Sequence, residues 1–157
     1  MPFWIKIVIS VVAIEALGGL GAAITSDHIG GWFTTLNRPP GTPPNWLFGP
    51  VWICLFGLMG TAFAIVWERA PNGPPKRKAM LCFGIQLALN IAWTPVFFGM
   101  HQMLLALLVI VALVVAVVLT MVRFWRLQPL AGVLLIPYLL WVGYATYLNA
   151  GFWLLNR

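Results

Sequence analysis

"MLLALLVIVALVVAVVLTMV", residues 103–122, runs for twenty positions without a charge. A hydrocarbon core about 30 Å thick is crossed by about 20 apolar residues of helix at 1.5 Å each, so the stretch is long enough to span a bilayer. Four more stretches of that kind lie at about residues 4–25, 46–67, 79–99 and 129–153. Composition agrees: 62% of the 157 residues are hydrophobic and 8% are charged, against about 25% charged in an average soluble protein. The expected fold is all-α, an integral membrane bundle of five transmembrane helices, with residues 1–157 as one domain. The first stretch is expected to be retained rather than cleaved, because Lys6 is its only early base, Glu15 lies inside it and no small-residue cleavage site closes it.

Lys and Arg in short loops set the orientation of such a bundle. An odd number of crossings puts the N-terminus, the second loop and the fourth loop on one side. That side carries Lys6, Arg69, Lys76, Arg77, Lys78, Arg123 and Arg126, while the other holds Arg38 and Arg157. The N-terminus is therefore expected in the cytoplasm if the membrane is a bacterial inner membrane, the mitochondrial outer membrane being the eukaryotic alternative. The net charge of +6 is an orientation signal, and no aromatic-interleaved basic patch suggests nucleic acid.

Cys54 and Cys82 sit at helix depths that differ by more than about 10 Å, too far for a disulfide. His28 and His101 fall in the loops after the first and third stretches. Without a regular ligand spacing they are read as solvated polar groups rather than metal or haem ligands. No nucleophile and base stand in an arrangement that identifies a catalytic residue.

Polar and aromatic residues inside the spans form stripes at helical spacing. One runs through Trp52, Phe56, Met59 and Phe63, a second through Gln86, Asn90, Trp93 and Phe97, a third through Tyr138, Trp141, Ala145 and Asn149. Measured from the first-loop side, Trp52, Asn90 and Trp93 lie about 9 to 14 Å deep, and Phe56, Trp141 and Ala145 about 12 to 18 Å deep. Aromatic walls with a placed Asn in one layer suit a ligand site. Above them lies "WFTTLNRPPGTPPNWLFGPVW", residues 32–52, with five prolines and three tryptophans. Proline fixes φ and lowers the entropy of ordering, so this loop is expected to be a preformed lid.

Residues 32–60 ("WFTTLNRPPGTPPNWLFGPVWICLFGLMG"), 86–103 ("QLALNIAWTPVFFGMHQM") and 129–149 ("PLAGVLLIPYLLWVGYATYLN") resemble the three signature stretches of the tryptophan-rich sensory protein family. Its eukaryotic members are the translocator protein or peripheral benzodiazepine receptor. The resemblance covers nearly the whole chain and implies a five-helix, usually dimeric membrane protein. Implied ligands are porphyrins such as protoporphyrin IX, sterols in eukaryotes, and benzodiazepine-type or isoquinoline carboxamide drugs, with no obligatory cofactor. Matched motif by motif, it puts Trp52, Phe56, Asn90, Trp93, Trp141 and Ala145 on the ligand cavity and Phe33, Pro43 and Pro44 in the lid. Gly41 stands where the family commonly has Trp, and Ala150 and Leu154 fill the Tyr and Arg positions of its sterol pattern, so cholesterol is not expected as principal ligand.

Glu15 has no counterpart expected from the family. A carboxylate near mid-membrane suggests a function such as proton coupling, but the reading favoured here is a protonated acid hydrogen-bonded to a neighbouring helix, with close helix packing allowed by the glycines of "EALGGLGAA". Gly84, Ala88 and Ala92 form a small-residue ridge about 200° from Asn90, a candidate homodimer surface. Three functions stay open: a porphyrin-binding receptor or sensor, a porphyrin-degrading enzyme working with light and oxygen, and a transporter of porphyrin or other hydrophobic molecules.

Overall fold

The apolar stretches fold as helices that overrun the hydrocarbon-length spans. In the computed structural model, which describes residues 1–157, five crossings are long and apolar enough to span a membrane. They are α1 (Phe3–Ile29), α2 (Asn45–Arg69), α3 (Pro74–Thr94) with a terminal π turn (Pro95–Gly99), α4 (Met103–Leu127), and a fifth broken into α5 (Pro129–Leu134) and α6 (Ile136–Asn156). A 3-10 turn, Trp32–Thr35, interrupts the first loop.

Local chemistry explains where the boundaries differ from hydropathy. α1 continues to Ile29, and the polar side chains of Thr25, Ser26 and His28 are satisfied within it by bonds to carbonyls of its own last turns. α3 begins at Pro74 because two prolines suit a first turn whose N–H groups have no helical partner. Pro95 widens the end of the third crossing, where the Met100 N–H reaches back five residues to the Pro95 carbonyl at 2.8 Å. Pro137 lacks the N–H that would bond four residues back, and the fifth crossing breaks just before it, between Leu134 and Ile136.

α1 packs chiefly on α2, α3 on α4, and α4 on α6, with α5 wedged between α4 and α2. Two glycines bring helices closest backbone to backbone. A Cβ on Gly60 would fall 2.6 Å from the Val11 Cα, and one on Gly132 2.8 Å from the Trp125 Cα. The largest core cluster runs through Met59, Phe83, Leu113, Phe124, Tyr138 and Val142. Outward faces are apolar, as with Val8 and Val12 on α1 and Leu108, Val111 and Val115 on α4. In water such a surface would aggregate; in a bilayer it matches the solvent.

The two ends of the bundle differ in charge. At one end Lys6 pairs with Glu68, the Arg69 guanidinium lies 4.7 Å from the Phe3 ring centre, and Gln128 donates to the Arg69 carbonyl. The N-terminus, the second loop and the α4–α5 junction therefore meet there. At the other end the first loop meets the C-terminus, where Asn37 and Asn156 exchange hydrogen bonds of 2.8 and 2.9 Å.

Candidate functional site

Near the membrane centre α1 lies against α2, where the glycines of both helices permit contact: Val11 on Gly60, and Gly18 on the Phe56 ring. Toward the first loop α1 leans instead on the third crossing, with Gly21 against Thr94 and Ile24 against Gly99. The wedge left between α1 and α2 is a cavity of about 340 Å³. Its lining residues Gly19 and Ala22 on α1, and Gly49 and Ile53 on α2, are also exposed on the outer surface. The cavity consequently opens sideways, between two helices, at a depth that faces hydrocarbon.

Trp52, Phe56, Asn90, Trp93, Trp141, Ala145 and Phe33 all line this space. Trp52 stacks on Phe56 with ring centres 5.4 Å apart and meets Trp141 edge to face at 6.4 Å and 88°. Phe48 also lines the cavity and meets Trp141 edge to face, at 6.1 Å and 73°. These rings form a corner with one flat wall and one perpendicular wall. Phe33, in the 3-10 turn, closes the top, packed on Phe98 and Phe152.

The polar groups of the far wall are committed to the bundle. Asn90 Nδ2 donates to the Tyr138 hydroxyl at 2.7 Å, which donates in turn to Gln86 Oε1 at 2.9 Å. The Trp93 indole N–H is spent on Asn149 Oδ1 at 2.9 Å, and Asn149 Nδ2 on the Met103 carbonyl at 2.8 Å. Buried polar groups need such partners. The two chains tie α3 to α6 and to the start of α4, holding Asn90 and Trp93 in place.

Two expectations are corrected. Pro43 and Pro44 do not line the cavity: Pro43 is buried elsewhere and Pro44 is exposed just before α2. The proline segment is a strap rather than a lid, because α6 holds it. Tyr144 and Tyr147 donate their hydroxyls to the carbonyls of Gly41 and Pro40, and a Cβ on Gly151 would fall 2.5 Å from Pro39 Cβ. Gly41, at φ +82°, has the left-handed backbone that a tryptophan would adopt only with strain. Glu15 also departs from expectation: it lines the cavity and takes no hydrogen bond from any neighbouring helix.

Reading by stripes missed the near wall. Glu15, Gly18, Gly21, Ala22 and Thr25 of α1 line the cavity, as does Asn45, whose Oδ1 is buried without a partner. The signal was present as small residues recurring at 18, 21, 22 and 25, one helical face narrow enough to leave space beside it.

Fold and cavity define a class: a five-helix integral membrane protein with an aromatic chamber open to the bilayer in one half of the bundle. Residues 10–154 match the model of the TspO/MBR family. The chain is 40% identical over 152 residues to the tryptophan-rich protein TspO of Archaeoglobus fulgidus, covering 97% of both chains. It is 38% identical over 146 residues to the tryptophan-rich sensory protein of Cereibacter sphaeroides, covering 93% of this chain and 88% of that one. To the human translocator protein it is 38% identical over 141 residues, 85% of this chain and 82% of the relative. The chain belongs to the TspO/MBR family.

Proposed function

We propose that this protein is a membrane receptor or sensor that takes porphyrin-type tetrapyrroles, and related flat hydrophobic molecules, into the cavity beneath Phe33. The observation that carries this reading is the right-angled corner of Trp52 and Trp141, backed by Phe56 and Phe48. One indole offers a face on which a flat ring stacks, and the other meets it edge-on, both favourable aromatic geometries. At about 340 Å³ the chamber is near the small end of ligand sites, about 300 to 1,000 Å³. A macrocycle therefore seats one side in the corner and leaves its opposite edge at the lateral opening. Titration of the protein in lipid nanodiscs with protoporphyrin IX, followed by tryptophan fluorescence, tests this. Saturable quenching with an unchanged porphyrin spectrum under light is expected. A new product spectrum would make the protein an enzyme, and quenching that never saturates would remove the site.

Orientation is proposed from the seven bases at one end against two at the other: in a bacterial inner membrane the second loop is cytoplasmic and the first periplasmic. Single cysteines at Asn72 and Thr35, in a chain with both native thiols removed, are expected to react with an impermeant maleimide from opposite sides. Reaction of the Asn72 site in intact cells would reverse the assignment.

Assembly is proposed as a homodimer through α3. Gly84, Ala88 and Ala92 are exposed on its outer face, and nothing lies within 4 Å of a Cβ on Gly84, while Gln86 and Asn90 are buried on the inner one. Small residues let helices approach closely in lipid. Ala88→Leu is expected to shift the protein toward monomer in light scattering and to leave porphyrin affinity near the parent's; an unchanged mass counts against this interface.

A further inference from the structure

We propose that Glu15 is a specificity-determining residue of the cavity, selecting ligands that bring an ammonium group to its inner end. The proposal rests on the reading of the cavity as a ligand site. Glu15 lies 12 residues from Phe3 and 14 from Ile29, about 18 and 21 Å of helix, so its carboxyl sits near the middle of the membrane. Room for it comes from α2, where a Cβ on Gly57 would stand 3.8 Å from Glu15 Oε1.

Nothing in the protein answers this carboxyl. No Lys, Arg or His lines the cavity. The nearest base along α1, Lys6, is engaged by Glu68, and Lys76 is spent on the Trp67 and Ala70 carbonyls and Asn72 Oδ1. Across the cavity Asn90 Nδ2 and the Trp93 N–H point away, to Tyr138 and Asn149, and the Thr94 hydroxyl lies by Gly21, nearly two turns along α1 from Glu15. The unpartnered Asn45 Oδ1 at the top is a further acceptor.

A carboxyl in hydrocarbon without a partner is costly, and such groups turn to a cavity or a counter-charge. An ammonium arriving with the ligand both cancels the charge and fills the acceptor, a charge-assisted bond. At the opposite end Arg38 lies 5.1 Å over the Phe33 ring that closes the cavity and does not reach the lining, so Glu15 is the one charged side chain that a ligand meets inside the chamber.

The test uses two probes, a porphyrin with one aminopropyl arm and the same porphyrin with that amine acetylated, titrated at pH 7 by fluorescence quenching. The parent is expected to prefer the amine by about tenfold to a hundredfold, the scale of a hydrogen bond to a charged group. Glu15→Gln, which keeps the side chain's size, and Glu15→Leu are each expected to bring the two probes to equal affinity, abolishing the preference. A parent without preference, or a preference that survives Glu15→Gln, overturns the assignment. Failure of both probes to quench the parent saturably overturns the cavity reading instead.

Discussion

Trp52→Ala and Trp141→Ala each weaken porphyrin binding by about 1 to 3 kcal/mol, the scale of a lost buried aromatic contact, whereas Trp4→Ala leaves it near the parent's value. The contrast follows from position. Trp52 and Trp141 form the two walls of one corner, 6.4 Å between ring centres, while Trp4 is 65% exposed on the outer face of α1 and meets lipid. Because the two rings touch each other in one corner, the double variant should lose less than the sum of the two single losses, or more, but not that sum. Titration of the three single variants and the double variant in nanodiscs reads this directly. If both cavity variants keep their helical circular dichroism and bind as tightly as the parent, these tryptophans are packing residues and the ligand sits elsewhere.

Gly60→Leu is expected to have the largest effect on the scaffold. The added Cβ alone would stand 2.6 Å from the Val11 Cα and 2.9 Å from the Val11 N, a collision with backbone that no side-chain rotation relieves. α1 must then separate from α2, at a cost of about 1 to 3 kcal/mol or more. Since α1 is one wall of the cavity, porphyrin affinity should fall with the thermal unfolding midpoint in detergent. Gly19→Ala is the matched control: no atom lies within 4 Å of its Cβ, and alanine is the better helix former by about 1 kcal/mol, so the midpoint should hold or rise. A Gly60→Leu protein with the parent's midpoint would show that the two helices do not meet there.

Some of the site was legible before folding because depth along a helix is a linear function of residue number. Trp52, Asn90, Trp93 and Trp141 could be placed in one layer by counting 1.5 Å per residue, and that layer lines one cavity. Azimuth between helices is not linear in anything the chain displays. Which side of α1 would face Trp52 depended on Gly18 and Gly60 admitting Phe56 and Val11, contacts nearly forty residues apart in Gly18–Phe56 and nearly fifty in Val11–Gly60. The loop prolines illustrate the same limit: their stiffness was readable, but that Tyr144 and Tyr147 would hold their segment against α6 was not.

Amino-acid sequence by itself determined the five crossings and the asymmetry of basic ends, because transfer of apolar and charged groups between water and hydrocarbon is a local, nearly additive property of each segment. The same holds for family membership, carried by contiguous motifs. Only the tertiary structure decided that the chamber opens sideways between α1 and α2, that the proline segment of the first loop is a strap, and that Glu15 stands unpartnered at the inner end of the chamber. Those outcomes depend on which helix faces collapse together, and in lipid that is settled by the fit of small residues against backbone and by exchanged hydrogen bonds, quantities that exist only once the helices are side by side.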